Sequence, residues 1–295
     1  MTSGTIHTPV LPVEAIEALQ ITSGATIVDG TAGGGGHVQR MLARVGPSGR
    51  VIAIDRDPDA VERLRARFSD PRVQFFENNY ADLPELLDEI GLRSVDGILL
   101  DLGLSSDQLA DRQRGFSFDS DGPLDLRFDP RRGEPAYRLI NRLSSEHLAD
   151  LIYQYGEERL SRRIARAIVA RRQEKPIDTA TELAEIVRRA YPPASKRGEK
   201  IAPATRTFQA LRIAVNDELK ALETALRRFP EIMETDGKLA IISFHSLEDR
   251  QVKQAFRDDE RYEALTRKPI RPNEAEIIDN PRSRSAKLRV ARRLS

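Results

Sequence analysis

Four consecutive glycines, Gly33 to Gly36, stand in the segment DGTAGGGGH, directly after an apolar run and before an apparent helix. Glycine loses more backbone entropy on folding than any other residue, so this run indicates a turn that another group must approach closely. Further polar residues follow later apolar runs in the same way: Asp55, Asn79, Tyr80 and Asp101. Together they have the residue types needed to bind a polar ligand at the ends of strands.

The first hundred residues alternate between apolar runs and amphipathic segments. Runs such as VIAI and GILL contain no polar alternation, which is typical of strands covered on both faces. Segments such as HVQRMLARVG and PDAVERLRARF, which lie between the runs, have helical spacing. Strand and helix in this order predict an α/β fold with a parallel sheet, in which the carboxyl ends of the strands meet at one ligand-binding crevice.

The glycine segment does not match the common phosphate-binding patterns. Started at Gly30, the pattern G-x-x-x-x-G-K-[ST] requires a lysine where Gly36 stands, and the dinucleotide pattern started at Gly33 requires a glycine where Val38 stands. The remaining common ligand is S-adenosylmethionine (SAM), whose methionine part packs on a glycine-rich turn. Asp55 lies 20 residues after Gly35, which is the spacing expected for a carboxylate that binds ribose hydroxyls.

Composition restricts the possible chemistry and location. The chain has 295 residues, a formal net charge of +1 and no cysteine, so disulfides, thiolate metal sites and a cysteine nucleophile are excluded. The four histidines show no metal-ligand spacing, and we expect no metal. The N-terminal residues do not resemble a signal peptide and no segment is long enough to span a membrane, so we expect a cytoplasmic protein.

Nine segments, in order, resemble one family over nearly the whole chain. They are HTPVL, DGTAGGGGH, AIDRDP, GILLDLGLSS, RGFSF, GPLDLR, YGEER, PATRTFQALRIAVNDEL and ISFHSLEDR. The family is that of the bacterial 16S rRNA (cytosine-N4) methyltransferases, known as RsmH or MraW. The resemblance implies methylation of the N4 amine of a cytidine in the decoding region of 16S rRNA, at position 1402 in the standard rRNA numbering.

The resemblance also implies a Rossmann-like SAM-dependent methyltransferase sheet with an inserted all-helical domain. Carried over by position, the SAM contacts fall on Gly35, Gly36, His37, Asp55, Tyr80, Asp101 and Gln108, and the glycine turn adds Gly33. Two residues depart from the family pattern: Tyr80 where phenylalanine is frequent, and Asp107 where proline is usual. Neither departure removes a cofactor contact, but Asp107 can change the conformation of the loop after the fourth strand.

Methylation of an exocyclic amine agrees with the absence of cysteine, because it needs no covalent attack on the ring. It needs an oxygen acceptor near the amine that takes one of its hydrogens. Asp101 is the first candidate, although it can equally be only a cofactor ligand, and Asp125 and His245 are the others. For His245, the capping of the helix that follows is as good an interpretation as a catalytic role.

The alternation breaks after DLGLSS, and helical segments follow until KLAIISF resumes the sheet. We therefore predict a SAM-binding domain from 1–107 and 211–295, and an inserted helical substrate-recognition domain at 108–210. Helix starts are predicted at Ser144 or Ser145, near 157, and at Thr179, whose side chain and Glu182 form a capping box.

Three basic clusters predict a phosphate-binding surface, although a solvated helix face is the usual explanation of such charge. They lie at 159–172, 188–212 and 282–293. In the first cluster Leu160, Ile164 and Ile168 form an apolar stripe, which leaves arginines facing outward. Arg162, Arg163 and Arg166 are our candidates for contacts with the RNA backbone.

The expected partner is 16S rRNA within the small ribosomal subunit, with no membrane partner; a homodimer stays open. Two other functions also stay open at this point. One is a methyltransferase for another RNA amine or a small acidic metabolite. The other is an RNA-binding assembly factor that keeps SAM only for stability.

Overall fold

The computed structural model describes residues 9–118, 121–192 and 203–295. It divides into two compact units, Met1–Ser105 with Leu219–Ser295, and Ser106–Glu218. The insertion predicted at 108–210 falls within the second unit, whose bounds are wider at both ends.

The first unit is built on one sheet. Its strands are β1 (Thr26–Asp29), β2 (Arg50–Asp55), β3 (Val73–Glu77), β4 (Val95–Asp101), β5 (Met233–Ser243), β6 (Tyr262–Ala264) and β7 (Lys287–Arg293). The order across the sheet is β3-β2-β1-β4-β5-β7-β6; β1 to β5 run parallel, whereas β7 is antiparallel to both neighbours. The predicted α/β class with a parallel sheet is confirmed.

Helices α1 (Glu14–Leu19), α2 (Gly36–Leu42), α3 (Pro58–Arg67), α4 (Leu83–Glu89), α11 (Glu218–Ile232), α12 (Ser246–Asp258) and α13 (Glu274–Asp279) connect or flank these strands. Alternate strand residues enter two separate cores, with Val28 and Ile52 in one and Ile27 and Val51 in the other. Because side chains alternate across a strand, both faces of the sheet are covered, as the uninterrupted apolar runs predicted.

The second unit is mainly helical. It contains α5 (Ser106–Ala110), α6 (Ala136–Arg142), α7 (Ser145–Gly156), α8 (Ser161–Arg172), α9 (Ala180–Ala190) and α10 (Ala204–Asn216). The Ser144 hydroxyl accepts a hydrogen bond from the N–H of His147, and the Thr179 hydroxyl accepts one from Glu182, so both predicted helix starts are confirmed.

The second predicted helix begins later than expected. Glu157 ends α7 in the left-handed region, with φ 48°, and the Glu158 carboxylate accepts a hydrogen bond from the N–H of Leu160. These contacts hold the connection in a turn, and α8 begins only at Ser161. None of the helices within the described ranges combines the length and the apolar character that a membrane crossing requires.

Candidate active site at the carboxyl ends of the parallel strands

The strand order fixes where a ligand can bind in the first unit. β1 lies between β2 and β4, and the chain leaves β1 in one direction and returns to its other side after β3. Such a reversal opens a crevice beyond the carboxyl ends of the two central strands. Asp29 ends β1, Asp55 ends β2 and Asp101 ends β4, so all three carboxylates lie at this edge.

The glycine turn is joined directly to the end of β2. The N–H of Gly33 donates to Oδ2 of Asp55 at 2.8 Å, and the N–H of Asp57 donates to Oδ1 at 2.9 Å. Burial raises the pKa of Asp55 to about 6, although both hydrogen bonds oppose the shift. Each carboxylate oxygen has two lone pairs, so both can still accept hydrogen bonds from hydroxyl groups.

The glycines are required for two different reasons. Gly33 and Gly35 have φ of 47° and 78°, a region that side chains other than glycine disfavour. A Cβ at Gly35 would lie 2.6 Å from Phe68, and one at Gly36 would lie 2.8 Å from Pro9. We expected the cofactor to occupy the space that a side chain at these two glycines would take. That expectation is wrong, because protein atoms fill that space.

Gly33 differs from these two. A Cβ there would have its nearest neighbour, the Cβ of Ser105, at 3.7 Å, which is ordinary van der Waals contact. Gly33 is thus the position of the turn where a side chain would meet little protein. It is also the residue whose backbone N–H binds the Asp55 carboxylate.

Asp29 is fully buried and is a site residue that the sequence analysis missed. Its Oδ1 accepts a hydrogen bond from the N–H of Thr31 at 3.1 Å, whereas its Oδ2 has no hydrogen-bond partner among the described residues. Burial raises its pKa to about 7; the bond from Thr31 lowers it, and the charge of Asp55 raises it. The available signal was an acid that ends an apolar strand directly before the glycines.

Asp101 resembles Asp29 in having a carboxylate oxygen without a partner among the described residues and a raised pKa. Its Oδ1 is buried and has no hydrogen-bond partner within the described ranges, and its backbone N–H donates to the hydroxyl of Thr31 at 2.6 Å. Burial raises its pKa well above the ordinary value, the charge of Asp29 adds to the shift, and Arg282 opposes it. Two partnerless carboxylate oxygens at one edge indicate a site for a ligand that brings hydrogen-bond donors or positive charge.

His37, the second residue of α2, is buried beside this cluster. Its Nε2 lies 3.1 Å from the carbonyl oxygen of Val10, and a carbonyl only accepts, so Nε2 holds the hydrogen. Its Nδ1 lies 3.8 Å from Oδ2 of Asp101. The histidine therefore bonds to the N-terminal segment and lies beside the acidic cluster.

The other expected cofactor contacts lie in both units. Tyr80 is buried in the turn after β3, and its neighbour Asn79 caps that turn by accepting a hydrogen bond from the N–H of Ala81. Gln108 is buried in α5 of the second unit.

The two alternative acceptors are already engaged in hydrogen bonds or ion pairs. His245 caps α12: its Nδ1 accepts from the N–H of Glu248 at 3.4 Å. Its Nε2 is buried 3.1 Å from the Glu248 carboxylate but forms no hydrogen bond with the described residues. The capping interpretation of His245 is thus confirmed. Both carboxylate oxygens of Asp125 accept from Arg127, at 2.8 and 2.6 Å.

The three candidate RNA contacts on α8 are exposed. Arg162, Arg163 and Arg166 point outward, while Ile164 and Ile168 are buried, as the apolar stripe predicted. A pocket of about 600 Å³ is lined by Arg162 and Arg166 of α8, together with Ser145, Glu146, Ala149 and Asp150 of α7.

The other arginines at the end of α8 stabilise the second unit itself. Arg171 donates to the Glu182 carboxylate and Arg172 donates to the carbonyl of Ile140, each at 2.5 Å. They are therefore structural contacts. In the first turns of α8, by contrast, Arg162, Arg163 and Arg166 form no ion pair with the described residues, and Arg166 only donates to the carbonyl oxygen of Arg162.

The basic cluster at 282–293 is mostly structural, which corrects our interpretation of it as a phosphate-binding tail. Its larger part, Lys287–Arg293, forms β7 inside the sheet. Lys287 and Arg289 pair with Asp249, at 3.1 and 2.7 Å, and Arg292 pairs with Glu263. In the cluster at 188–212, Lys196, Arg197 and Lys200 lie outside the described residues, and Arg212 forms a buried pair with Glu218 at 2.7 Å.

Comparisons with known proteins cover nearly the whole chain. The sequence model of the MraW methylase family matches residues 4–294. A protein named ribosomal RNA small subunit methyltransferase H from Rhodopirellula baltica is 51% identical, with 98% of this chain and 92% of that protein aligned. Its namesake from Cyanothece sp. is 50% identical, over 98% and 95%. The crystal structure of an rRNA methylase from Streptococcus thermophilus aligns with a TM-score of 0.46 at 10% identity, over 98% of both chains.

The buried carboxylate of Asp29 predicts a pH dependence of stability. Its pKa in the folded state is above the ordinary value of 3.8, so its contribution is fully present below pH 3.8 and is lost as pH rises through about 7. Between pH 5 and 7, the ligand-free protein should lose about 2 kcal/mol of unfolding free energy through this group. Asp29→Asn, which keeps the acceptor for Thr31, should flatten the dependence in urea titrations. If the unfolding free energy had the same slope against pH in both proteins, Asp29 would not be the group responsible.

Gly33→Ala and Gly91→Ala form a matched pair. Both glycines have positive φ, and neither added Cβ meets a close contact, but Gly91 follows α4 at the opposite edge of the sheet. Each substitution should cost about 1 kcal/mol of stability. Only Gly33→Ala should weaken SAM binding, by about tenfold or more in calorimetry. Equal affinities would remove Gly33 from the ligand site.

Proposed function

Because the chain belongs to the MraW methylase family, we propose that it transfers a methyl group from SAM to the N4 amine of a cytidine in 16S rRNA. The proposed nucleotide is the one at position 1402 in the decoding region, reached within the small subunit in the cytoplasm. The observation that carries the proposal is the cluster of Asp29, Asp55 and Asp101, which leaves two buried oxygens without partners beside the glycine turn.

The described residues fit SAM. Asp55, held by two backbone N–H groups, has lone pairs to accept from ribose hydroxyls. Asp29 and Asp101 form an electronegative, dehydrated region suited to a cationic ligand, and a cation there would lower both pKa values and stabilise the ionised forms. When bound, SAM supplies a methyl group on a positively charged sulfur.

Asp101 is our candidate for the acceptor of an amine hydrogen. The lone pair of the cytosine amine is delocalised into the ring, so an acceptor that draws one hydrogen away makes the nitrogen a better nucleophile. Oδ1 of Asp101 is buried without a partner among the described residues, whereas both oxygens of Asp125 accept from Arg127. In His245, Nδ1 already accepts from the N–H of Glu248, so the neutral ring carries its hydrogen on Nε2 and has no nitrogen left to accept another. Holding nucleophile and methyl group together can supply roughly 7–11 kcal/mol of the remaining barrier.

The exposed arginines of α8 are our candidates for contact with the RNA backbone. Arg162, Arg163 and Arg166 have no ion-pair partner within the described ranges, so their charge is available to phosphates. Phosphate contacts position an RNA without reading its sequence.

A transfer assay with tritiated SAM tests the function. Naked rRNA and intact small subunits are used as substrates, and the labelled RNA is digested to nucleosides. N4-methylcytidine is the expected product. Label in another nucleoside would indicate a different RNA amine, and binding to RNA without transfer would indicate an assembly factor.

Asp101→Asn should separate catalysis from cofactor binding. The amide keeps the shape of the side chain but is a weaker acceptor, so the rate of transfer should fall about 10²-fold or more at saturating SAM. SAM affinity should fall less than the rate. Asp29→Asn is the matched control, because it changes the same cluster at a residue with no proposed acceptor role. Equal losses of rate and affinity in Asp101→Asn would leave Asp101 as a cofactor ligand only.

Replacing Arg162, Arg163 and Arg166 together with serine should flatten the log–log salt dependence of RNA binding by about 2 units. SAM affinity should stay unchanged. The matched control replaces the same three residues with lysine, which keeps the charge and should keep most of the salt dependence. An unchanged slope in the serine variant, with normal activity, would make these arginines a solvated surface.

A further inference from the structure

The first unit has a second group of exposed cations that the sequence analysis did not single out as a unit. We define the carboxyl-edge patch as Arg267, Lys268, Arg271 and Arg284. All four are exposed, and none has a hydrogen bond or ion pair from its side chain to another described residue. Their neighbours in β7 differ, because Arg289 and Arg292 are paired with acids.

Strand register places Arg271 of this patch at the same edge as the acidic cluster, and Arg267 and Lys268 lie in the segment that leads to it. Asp101 is in register with Ile242, Ile242 with Leu288, and Leu288 with Ile270. These four residues form one row across the sheet, so Ile270 lies three strand spacings, about 15 Å, from Asp101. Arg271 follows Ile270 and therefore lies just beyond this row, on the carboxyl-end side.

A different contact fixes the position of Arg284. It belongs to a short 3-10 turn, Pro281–Ser285, that precedes β7. Arg282 of the same turn donates to the carbonyl oxygen of Leu104, in the loop that follows β4. Arg284 is therefore held close to the chain that leaves the candidate active site.

Local acids do not neutralise the patch. The segment 265–273 contains three of the cations and no acid. The nearest acids in the sequence are Glu263, which pairs with Arg292, and those on α13. On α13 the Glu276 carboxylate accepts a hydrogen bond from the N–H of Leu11, and Glu274 and Asp279 are exposed. Unpaired cations spread along one edge, from the loop after β4 to the segment beside β7, match the repeating charge of a phosphodiester chain.

We propose that the carboxyl-edge patch binds the phosphodiester backbone of the substrate RNA a few nucleotides from the target base. This inference rests on the proposed function, since it assumes that the ligand beside the acidic cluster is RNA. The patch positions the strand and takes no part in methyl transfer, so its loss weakens RNA binding and raises the KM for RNA while kcat is unchanged.

The test compares two triple variants of the full-length protein. The first replaces Arg267, Arg271 and Arg284 with serine. The second replaces Arg44, Arg50 and Arg93 with serine; these are also exposed arginines of the first unit, without side-chain partners among the described residues, but they lie at or near the amino ends of the strands. Both variants lose three positive charges. If RNA binding changes only in the first variant, the cause is therefore the location of the charges and not the net charge of the protein.

Affinity for a 16S rRNA fragment is measured across salt concentrations, together with SAM affinity and the steady-state constants for methyl transfer. The first variant should have a log–log salt slope flatter by about 2 units and a KM for RNA raised between about ten- and a hundredfold at 0.15 M salt. Its SAM affinity and kcat should match wild type, and the control variant should match wild type throughout.

Three outcomes would overturn the inference, two of them in the assays above. One is a salt slope that is unchanged, or changed equally in both variants; the other is a lower kcat with unchanged RNA binding. Failure of the proposed function is a separate result, because wild-type protein would then transfer no methyl group to rRNA in either form. A patch variant that binds naked rRNA normally but fails only on small subunits would indicate contact with a ribosomal protein, and this result also contradicts the inference.

Discussion

Three carboxylates, Asp29, Asp55 and Asp101, end three adjacent parallel strands. Asp29 is fully buried, and Asp55 and Asp101 are partly buried. Burial disfavours their charged forms, so the pKa of each is raised. Thr31 braces two of them, since its N–H binds the first and its hydroxyl accepts from the backbone of the third. Gly33 binds the second. Burial of these ionisable groups is unfavourable, and hydrogen-bond donors or a cation from a bound ligand offset that unfavourable free energy.

The glycine turn is fixed from both sides by this arrangement. On the inner side the Gly33 N–H must reach the Asp55 carboxylate, which sets the path of the chain after β1. On the outer side Phe68 and Pro9 pack so closely against Gly35 and Gly36 that a side chain would not fit. The turn therefore lies between the packed core and the acidic edge. Gly35 and Gly36 allow close packing on the core side, and Gly33 binds the Asp55 carboxylate on the acidic side.

The parts of this structure that sequence could predict are those encoded locally. The runs VIAI and GILL predicted β2 and β4, and the acids that follow them were correctly placed at the carboxyl edge. β7 was missed because KLRVARR has the composition of a basic tail, and its charges are neutralised by Asp249 and Glu263, which lie far away in the sequence. The packing of Phe68 against Gly35 is equally non-local.

The discontinuous first unit has a consequence for the order of assembly. β1 to β4 are complete when residue 101 has been synthesised, but β4 pairs along its other edge with β5, where Asp101 meets Ile242. The whole second unit lies between them in the chain. At a synthesis rate of about 5–20 residues per second, that edge of β4 stays unpaired for roughly 7 to 28 seconds on the ribosome. An open strand edge favours pairing with other chains, so the first unit carries this exposed edge until β5 emerges and pairs with it.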